Sequence, residues 1–301
     1  MKLPCSRRSL LRSGVSALLL APLPLAPLPL APLALPATAD VGAGRAVAST
    51  SPGAIILGLI PNMPFGAPAT NVTIDGALVE RIEAEAAALE ARGAKNNAKS
   101  ADLAGNWLLI YSNGREITNL ASGLPLGFAL GPTYQPLDPV SGRFENIGNV
   151  EHVLGLARAS TRVIGDVRVA PIGTTNAAGT VNQDGNRVDV DFRRLTFALD
   201  EVLGRPTRGL RKVIVPKQDP AAAQPANDVT YLDDVMRITR GGDDSLFIFL
   251  RCDDSCREAR PMLTMQEREA LYAEGGEAAV TGNGVAGEGA SPELRRLLKE
   301  R

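Results

Sequence analysis

The stretch that decides the fold is Tyr231–Arg251, which reads YLDDVMRITRGGDDSLFIFLR. Apolar and polar residues alternate from Val235 to Thr239, the polar turn GGDD at 241–244 interrupts them, and the alternation resumes at Leu246. Period-two alternation on both sides of a Gly/Asp cluster is typical of a β-hairpin. We therefore predict two antiparallel strands here, joined by a polar, glycine-bearing turn.

The same two-residue period recurs upstream, in segments separated by turn residues. The first of these segments opens with the triplet GNW at 105–107, and its pattern places Trp107, Leu109 and Tyr111 on one face. A G-x-W triplet of this kind also opens the first strand of lipocalin barrels. Further strands are predicted at 144–153, 162–172 and 187–192, and an Asp-Gly turn precedes the last of them.

Two of these segments resemble a known family. Leu103–Ser112 has the order Leu-x-Gly-x-Trp and ends in a Leu-Ile-Tyr-Ser strand. Tyr231–Arg251 has a Tyr-Leu-Asp run, an Arg-Ile strand, an Arg-Gly turn and a Leu-Phe strand that ends in Arg. These patterns resemble the opening and closing segments of the fibrillins, the plastid lipid-associated proteins, and the resemblance covers about residues 78–251. It implies a mainly β fold, an antiparallel lipocalin-like β-barrel preceded by an α-helix.

That preceding helix is predicted over residues 73–92. Thr73 or Asp75 can cap its start, an apolar stripe at helical spacing passes through Ile82, and Gly93 follows its end. The stripe predicts that the helix packs against the barrel.

The start of the chain has the order of a signal peptide, with a basic segment, an apolar run and a small-residue site. Arg7 and Arg8 add a twin-arginine feature, and ATA at 37–39 supplies the cleavage site. A membrane-spanning helix is the alternative, but prolines interrupt the run and each costs about 3 kcal/mol inside a helix. The predicted organisation is a targeting segment at 1–39, an irregular linker at 40–72, the barrel domain at 73–256 and a C-terminal tail with a linker and a short helix at 257–301.

The charge balance argues against nucleic acid as a partner. The chain carries 32 Lys and Arg residues and 33 Asp and Glu residues. Segment 1–39 holds four of the basic residues and no acidic one, so 28 basic and 33 acidic residues remain after cleavage. Contacts to nucleic acid phosphates need a basic surface, whereas a neutral lipid surface needs no cationic patch.

No catalytic or metal-binding constellation is recognisable in the sequence. His152 is the only histidine, and no P-loop, H-E-x-x-H or G-x-S-x-G motif occurs. Cys252 and Cys256 can form a small-loop disulfide or remain two reduced thiols. Two thiols with no nearby histidine fall short of the four ligands of a zinc site. We predict no enzymatic activity, no cofactor and no metal.

If the barrel holds a lipid, the residues that face inward line its cavity. The predicted inward positions are Val167, Val190, Phe192, Met236 and Ile248, although a register error of one residue would exchange the two faces. Three tyrosines combine an apolar ring with a hydroxyl that can orient a polar head group or a quinone oxygen, namely Tyr111, Tyr134 and Tyr231. Trp107 is predicted to close one end of the barrel. The alternative for each tyrosine is that its ring simply fills the core.

The fibrillin resemblance implies a non-enzymatic protein that binds or carries lipids or isoprenoids. The implied partners are the lipid or isoprenoid ligand and the surface of thylakoids or plastoglobules. The implied location is the chloroplast, either in the thylakoid lumen or associated with the thylakoid or plastoglobule. Two alternatives stay open. One is a structural coat of plastid lipid droplets without an internal ligand, and the other is a lipocalin-shaped enzyme acting on a carotenoid or quinone.

Overall fold

A computed structural model describes residues 52–207, 210–216, 223–252, 256 and 259–274. The helices in this part of the chain are α1 Ala54–Leu59, α2 Gly76–Glu90, α3 Arg115–Ala121 and α4 Met265–Glu274. The strands are β1 Ala69–Thr70, β2 Asn106–Ser112, β3 Phe128–Tyr134, β4 Leu137–Asp138, β5 Arg143–His152, β6 Ala157–Val169, β7 Arg187–Val202, β8 Arg205–Pro206, β9 Arg211–Ile214, β10 Ala226–Leu232, β11 Met236–Gly241 and β12 Leu246–Cys252. No helix among the described residues is long and apolar enough to cross a membrane.

The strands close into an antiparallel barrel in the order β2-β12-β11-β10-β7-β6-β5-β3. The last pairing returns β3 to β2 through Leu108 and Tyr134. The quoted stretch forms the hairpin β11–β12, in which Arg237 lies opposite Phe249. The predicted fold, a lipocalin-like barrel preceded by a helix, is confirmed. Outside the barrel path, β1 runs parallel to β2, β4 pairs with β5, and β8 and β9 pair with β7.

The buried apolar residues form two clusters, one on each side of the barrel wall. The interior cluster collects residues from strands all around the barrel: Ala98, Leu103, Trp107, Leu109, Leu137, Phe144, Val167, Val188, Val190, Val229 and Phe249. The outer cluster joins the helices to the outer face of the wall: Ile56, Ala69, Ile82, Ala86, Leu89, Tyr111, Tyr231, Met236, Ile238, Leu246 and Ile248. The strands between the two clusters are therefore buried on both faces.

Helix α2 covers the outer cluster, as its apolar stripe predicts. Asp75 caps it by accepting a hydrogen bond from the amide of Ala77 at 2.9 Å. Beyond its end, Gly93 passes so close to the carbonyl oxygen of Thr230 that a Cβ atom would lie 2.0 Å from it. Only glycine fits at this approach, because any side chain would collide with backbone.

A C-terminal segment, 259–274, lies across the outer face of β5, β6 and β7 and includes α4, a helix that the sequence did not reveal. The amide of Leu263 donates to the Glu145 carboxylate at 3.0 Å, and Arg194 donates to the carbonyl of Tyr272 at 2.7 Å. A disulfide joins Cys252 to Cys256 at a Cα–Cα distance of 5.6 Å. The predicted targeting segment at 1–39 and the part of the predicted C-terminal tail after residue 274 lie outside the described residues.

Candidate functional site

One end of the barrel is closed by Trp107 and the residues around it. The indole is fully buried and donates to the carbonyl of Leu103 at 3.1 Å. The Arg251 guanidinium lies 4.3 Å from the centre of the indole ring and donates to the carbonyl of Ala104 at 3.1 Å. Gly105 has a φ of +144°, which a residue with a side chain rarely adopts. The Gly-x-Trp triplet and the final arginine of the quoted stretch thus meet at one closed end.

A bulge in β2 separates residues that the alternation had placed together. Phe249 pairs with Leu109 but the preceding Ile248 pairs with Tyr111, so one residue of β2 is left unpaired between them. Trp107 and Leu109 therefore point inward while Tyr111 joins the outer cluster. The prediction that Tyr111 shares a face with Trp107 is wrong, because a bulge adds a residue and reverses the alternation.

The predicted ligand residues divide between the two sides of the wall. Those in or against the interior cluster are Trp107, Val167, Val190 and Phe192, and those in the outer cluster are Tyr111, Tyr231, Met236 and Ile248. Tyr134 pairs with Leu108, whose neighbours Trp107 and Leu109 point inward, so Tyr134 lies on the outer face. The inward orientation predicted for Met236 and Ile248 is wrong, because both belong to the outer cluster beneath the helices.

The tyrosine hydroxyls proposed for a ligand head group are engaged on the outer side. Tyr111 donates to the carboxylate of Glu83 at 3.0 Å, and Tyr231 donates to the carboxylate of Asp233 at 2.8 Å. Burial, aided by the carboxylate partners, raises the pKa of both phenols, that of Tyr231 to about 12. These groups brace the wall and its turns, and neither faces the interior.

A buried charged side chain, Arg237, lies inside the barrel, and the sequence did not single it out. Its side chain is 1% exposed and donates to the amide oxygen of Gln135. Its guanidinium lies 4.1 Å from the ring centre of Phe249 and 4.9 Å from that of Trp107. Arg237 lies between the apolar residues Met236 and Ile238. The alternation that predicts an inward Met236 therefore places Arg237 on the opposite, outward face. Apolar residues at every second position can face either the barrel interior or an outer surface that helices cover. The sequence around Arg237 holds no local signal that distinguishes these two orientations.

A set of exposed apolar side chains marks the barrel end away from Trp107. They sit on the turns before β3, between β5 and β6, and between β7 and β8, and we call them the apolar rim: Leu126, Val153, Leu154, Leu156, Val202 and Leu203. The most exposed are Leu126 at 84%, Leu154 at 74% and Leu203 at 70%.

Hydrogen bonds hold the three turns of the apolar rim side by side. The amide of Val153 donates to the carbonyl of Gly127 at 2.8 Å, and the amide of Leu203 donates to the carbonyl of Leu156 at 2.8 Å. Leu126 and Leu203 have positive φ values, 61° and 48°. The left-handed conformation costs about 1–2 kcal/mol for a residue with a side chain. A leucine in such a turn, where asparagine or glycine is favoured, is a backbone outlier of the kind that accumulates at functional surfaces.

A polar recess of about 390 Å³ lies between the end of α2 and strands β10 and β11. Its lining is Glu90, Gly93, Thr180, Asp184, Asn186, Asp228, Thr230, Arg240 and Asp244. None of these residues is among the predicted ligand positions, and its polar lining does not suit an apolar ligand.

The family model described as PAP_fibrillin matches residues 69–250. The match begins at β1 and ends within β12, so it spans α2, the whole barrel and the apolar rim, and stops before the C-terminal segment. No curated protein matches the chain.

Proposed function

Because the chain belongs to the PAP_fibrillin family, the plastid lipid-associated proteins, we propose that it binds or carries lipids or isoprenoids at the surface of thylakoids or plastoglobules. The protein does this without catalysing a reaction. The apolar rim contacts the lipid surface, and its exposed leucines support the proposal.

The apolar rim is the observation that carries the proposal. Its leucines stand on protruding turns, whereas an apolar site for a folded protein partner is usually a complementary patch with a packed centre. Burying a leucine side chain contributes about 1.5–3 kcal/mol. Three such tips entering a lipid surface together provide reversible anchoring, and this offsets the backbone strain at two of them, Leu126 and Leu203.

The charges beside the rim favour a neutral lipid surface. Among the described residues they come as three acidic and three basic residues, which cancel: Glu151, Asp200 and Glu201 against Arg158, Arg205 and Arg260. Two of these pairs are in contact, Arg158 with Glu151 at 3.7 Å and Arg260 with Asp200 at 2.8 Å. Recruitment by anionic lipids needs a surplus of Lys and Arg, and the described residues beside the rim carry none. Galactolipid or phosphatidylcholine surfaces fit this charge balance.

Site-specific fluorescence tests the proposal in the full chain. A tryptophan is placed on the rim as Leu154→Trp and mixed with neutral phosphatidylcholine vesicles that contain brominated lipid. We expect strong quenching of its fluorescence, because the tip enters the acyl region. The single natural tryptophan, Trp107, is buried and supplies a constant background.

Val140→Trp is the matched control, because Val140 is 90% exposed and lies in a turn at the other end of the barrel. It should remain unquenched on the same vesicles. Replacing Leu126, Leu154 and Leu203 together by serine should weaken vesicle binding at least about 10-fold. Equal quenching at positions 140 and 154, or vesicle binding that survives the triple replacement, would show that the rim is not the lipid contact.

A further inference from the structure

A second polar recess lies directly beside the apolar rim. It has a volume of about 200 Å³, and strands β5, β6 and β7 form it together with one residue of the C-terminal segment. We call it the rim recess, and its polar lining is Asn149, Glu151, Arg158, Asp200, Glu201 and Arg260. Glu151 is two residues before Val153 of the rim, and Glu201 is directly before Val202, so the recess begins where the rim ends.

A β-bulge in β7 places two adjacent carboxylates in the rim recess. Arg158 of β6 pairs with Glu201 and Ala159 pairs with Leu199, so Asp200 is left unpaired between them. In a regular strand Asp200 and Glu201 would point to opposite faces, whereas a bulge lets both line the same recess. Bulges are frequent beside active sites, where they redirect a side chain in this way.

The C-terminal segment supplies one guanidinium of the rim recess. Arg260 donates to the two carboxylate oxygens of Asp200 at 3.3 and 2.8 Å and to the hydroxyl of Ser160 at 2.9 Å. The family model ends at residue 250, before this segment begins. The recess is therefore completed by a part of the chain that the family match does not include.

The lining suits an uncharged ligand with several hydroxyl groups. Arg158 pairs with Glu151 at 3.7 Å and Arg260 pairs with Asp200 at 2.8 Å, so a phosphate or an ammonium group would have to displace an internal partner. Sugar hydroxyls both donate and accept, so they can bridge carboxylate oxygens and guanidinium N–H groups without adding charge. Aromatic rings, which recognise a choline group, are not among the described residues that line the recess.

We propose that the rim recess binds the sugar head group of a neutral glycolipid while the leucines of the rim enter the acyl layer beside it. The head-group layer on each side of a bilayer is about 5–7 Å thick. Two strand residues span about 7 Å, so the recess lies at head-group depth when the rim is inserted. The inference names the head group that the lipid contact selects, and in this it rests on the proposed function.

The test compares the binding of the full chain to two kinds of uncharged vesicles. One is phosphatidylcholine alone, and in the other digalactosyldiacylglycerol with the same acyl chains replaces part of it. We expect about 5–10-fold tighter binding to the glycolipid vesicles in a flotation assay, as for one or two net hydrogen bonds. Arg260→Ala should lower this preference to less than about 2-fold and leave binding to phosphatidylcholine alone unchanged, because the rim is intact. Glu201→Ala keeps the pair of Arg260 and Asp200 and should also lower the preference.

Arg205→Ala is the matched control, because Arg205 is an exposed arginine beside the rim that does not line the recess. It should keep the full preference. Methyl galactoside in solution carries the sugar without acyl chains and should bind at least about 10-fold more weakly than the glycolipid vesicles. Equal affinity for the two would assign the recess to a free sugar and overturn the inference.

Two further outcomes would overturn the inference. One is equal binding of the wild-type protein to both kinds of vesicle, and the other is a preference that both Arg260→Ala and Glu201→Ala retain. Quenching at Leu154→Trp is measured on phosphatidylcholine, which carries no sugar. Loss of the sugar preference therefore leaves the assignment of the rim intact, whereas loss of that quenching contradicts the proposed function itself.

Discussion

Inside the barrel, Arg237 lies between the rings of Trp107 and Phe249 with one amide as its hydrogen-bond partner. On the outer face, Arg268 is buried as deeply but contacts the carboxylate of Asp166, the carbonyl of Gly165 and the hydroxyl of Tyr272. The outer arginine belongs to a network whose charges are compensated within the chain. The interior arginine does not.

The two arginines therefore differ in how their charge is compensated. Glu145, fully buried at the centre of the outer network, accepts from Arg162 and from the amide of Leu263, so the network ties the C-terminal segment to the wall. Nothing in the described residues closes the network around Arg237 in the same way. A buried charge without a partner lowers stability.

The largest expected effect is a loss of stability on replacing Trp107, which tests whether this residue closes the barrel. Trp107→Ala should lower the free energy of unfolding by about 3–5 kcal/mol, because it leaves a cavity and removes the ring that both Arg237 and Arg251 contact. Urea denaturation followed by circular dichroism measures the change, with Val140→Ala as the exposed control. A variant as stable as the wild-type protein would mean that the indole does not close the barrel.

The difference between Arg237 and Arg268 is tested by replacing each of them with methionine in protein stripped of lipid. Arg268→Met should cost about 3 kcal/mol, because removing one partner of a buried pair leaves an uncompensated carboxylate. Arg237→Met should change stability by less than about 1 kcal/mol, because the loss of cation–π contacts is offset by removal of an unpaired buried charge. Chemical denaturation of both variants gives the two values. If Arg237→Met costs as much as Arg268→Met, the interior arginine is a structural brace.

The smallest expected effect concerns the tyrosine hydroxyls of the outer side. Burial raises the pKa of Tyr231 from its usual value near 10 to about 12. Since the folded state holds the proton more tightly, this group stabilises the fold fully below pH 10 and loses that contribution as the pH rises to about 12. Tyr231→Phe should remove a component near pH 12 from the phenolate absorbance titration and cost about 0.5–1.5 kcal/mol at neutral pH. An absorbance titration that keeps its component near pH 12 in Tyr231→Phe would contradict the raised pKa of Tyr231.

The parts of the fold that local chemistry specifies could be predicted from the sequence. The turn GGDD at 241–244 predicts the β11–β12 hairpin, and the stripe through Ile82 predicts a helix packed on the barrel. The direction of each side chain could not be predicted, because a strand covered on both sides has apolar residues on both faces. Met236 and Ile248 therefore resemble interior residues while packing under α2, and Tyr111 changes sides at a bulge.

The sequence by itself determined the class of the protein: an antiparallel barrel, its closing tryptophan and its family. These follow from turn residues, period-two alternation and short motifs, all of which act over a few neighbouring residues. Only the tertiary structure decided that Arg237 lies inside the barrel and that the leucines of three separate turns form one rim. Both depend on strand register and barrel closure, which bring together residues far apart in the chain.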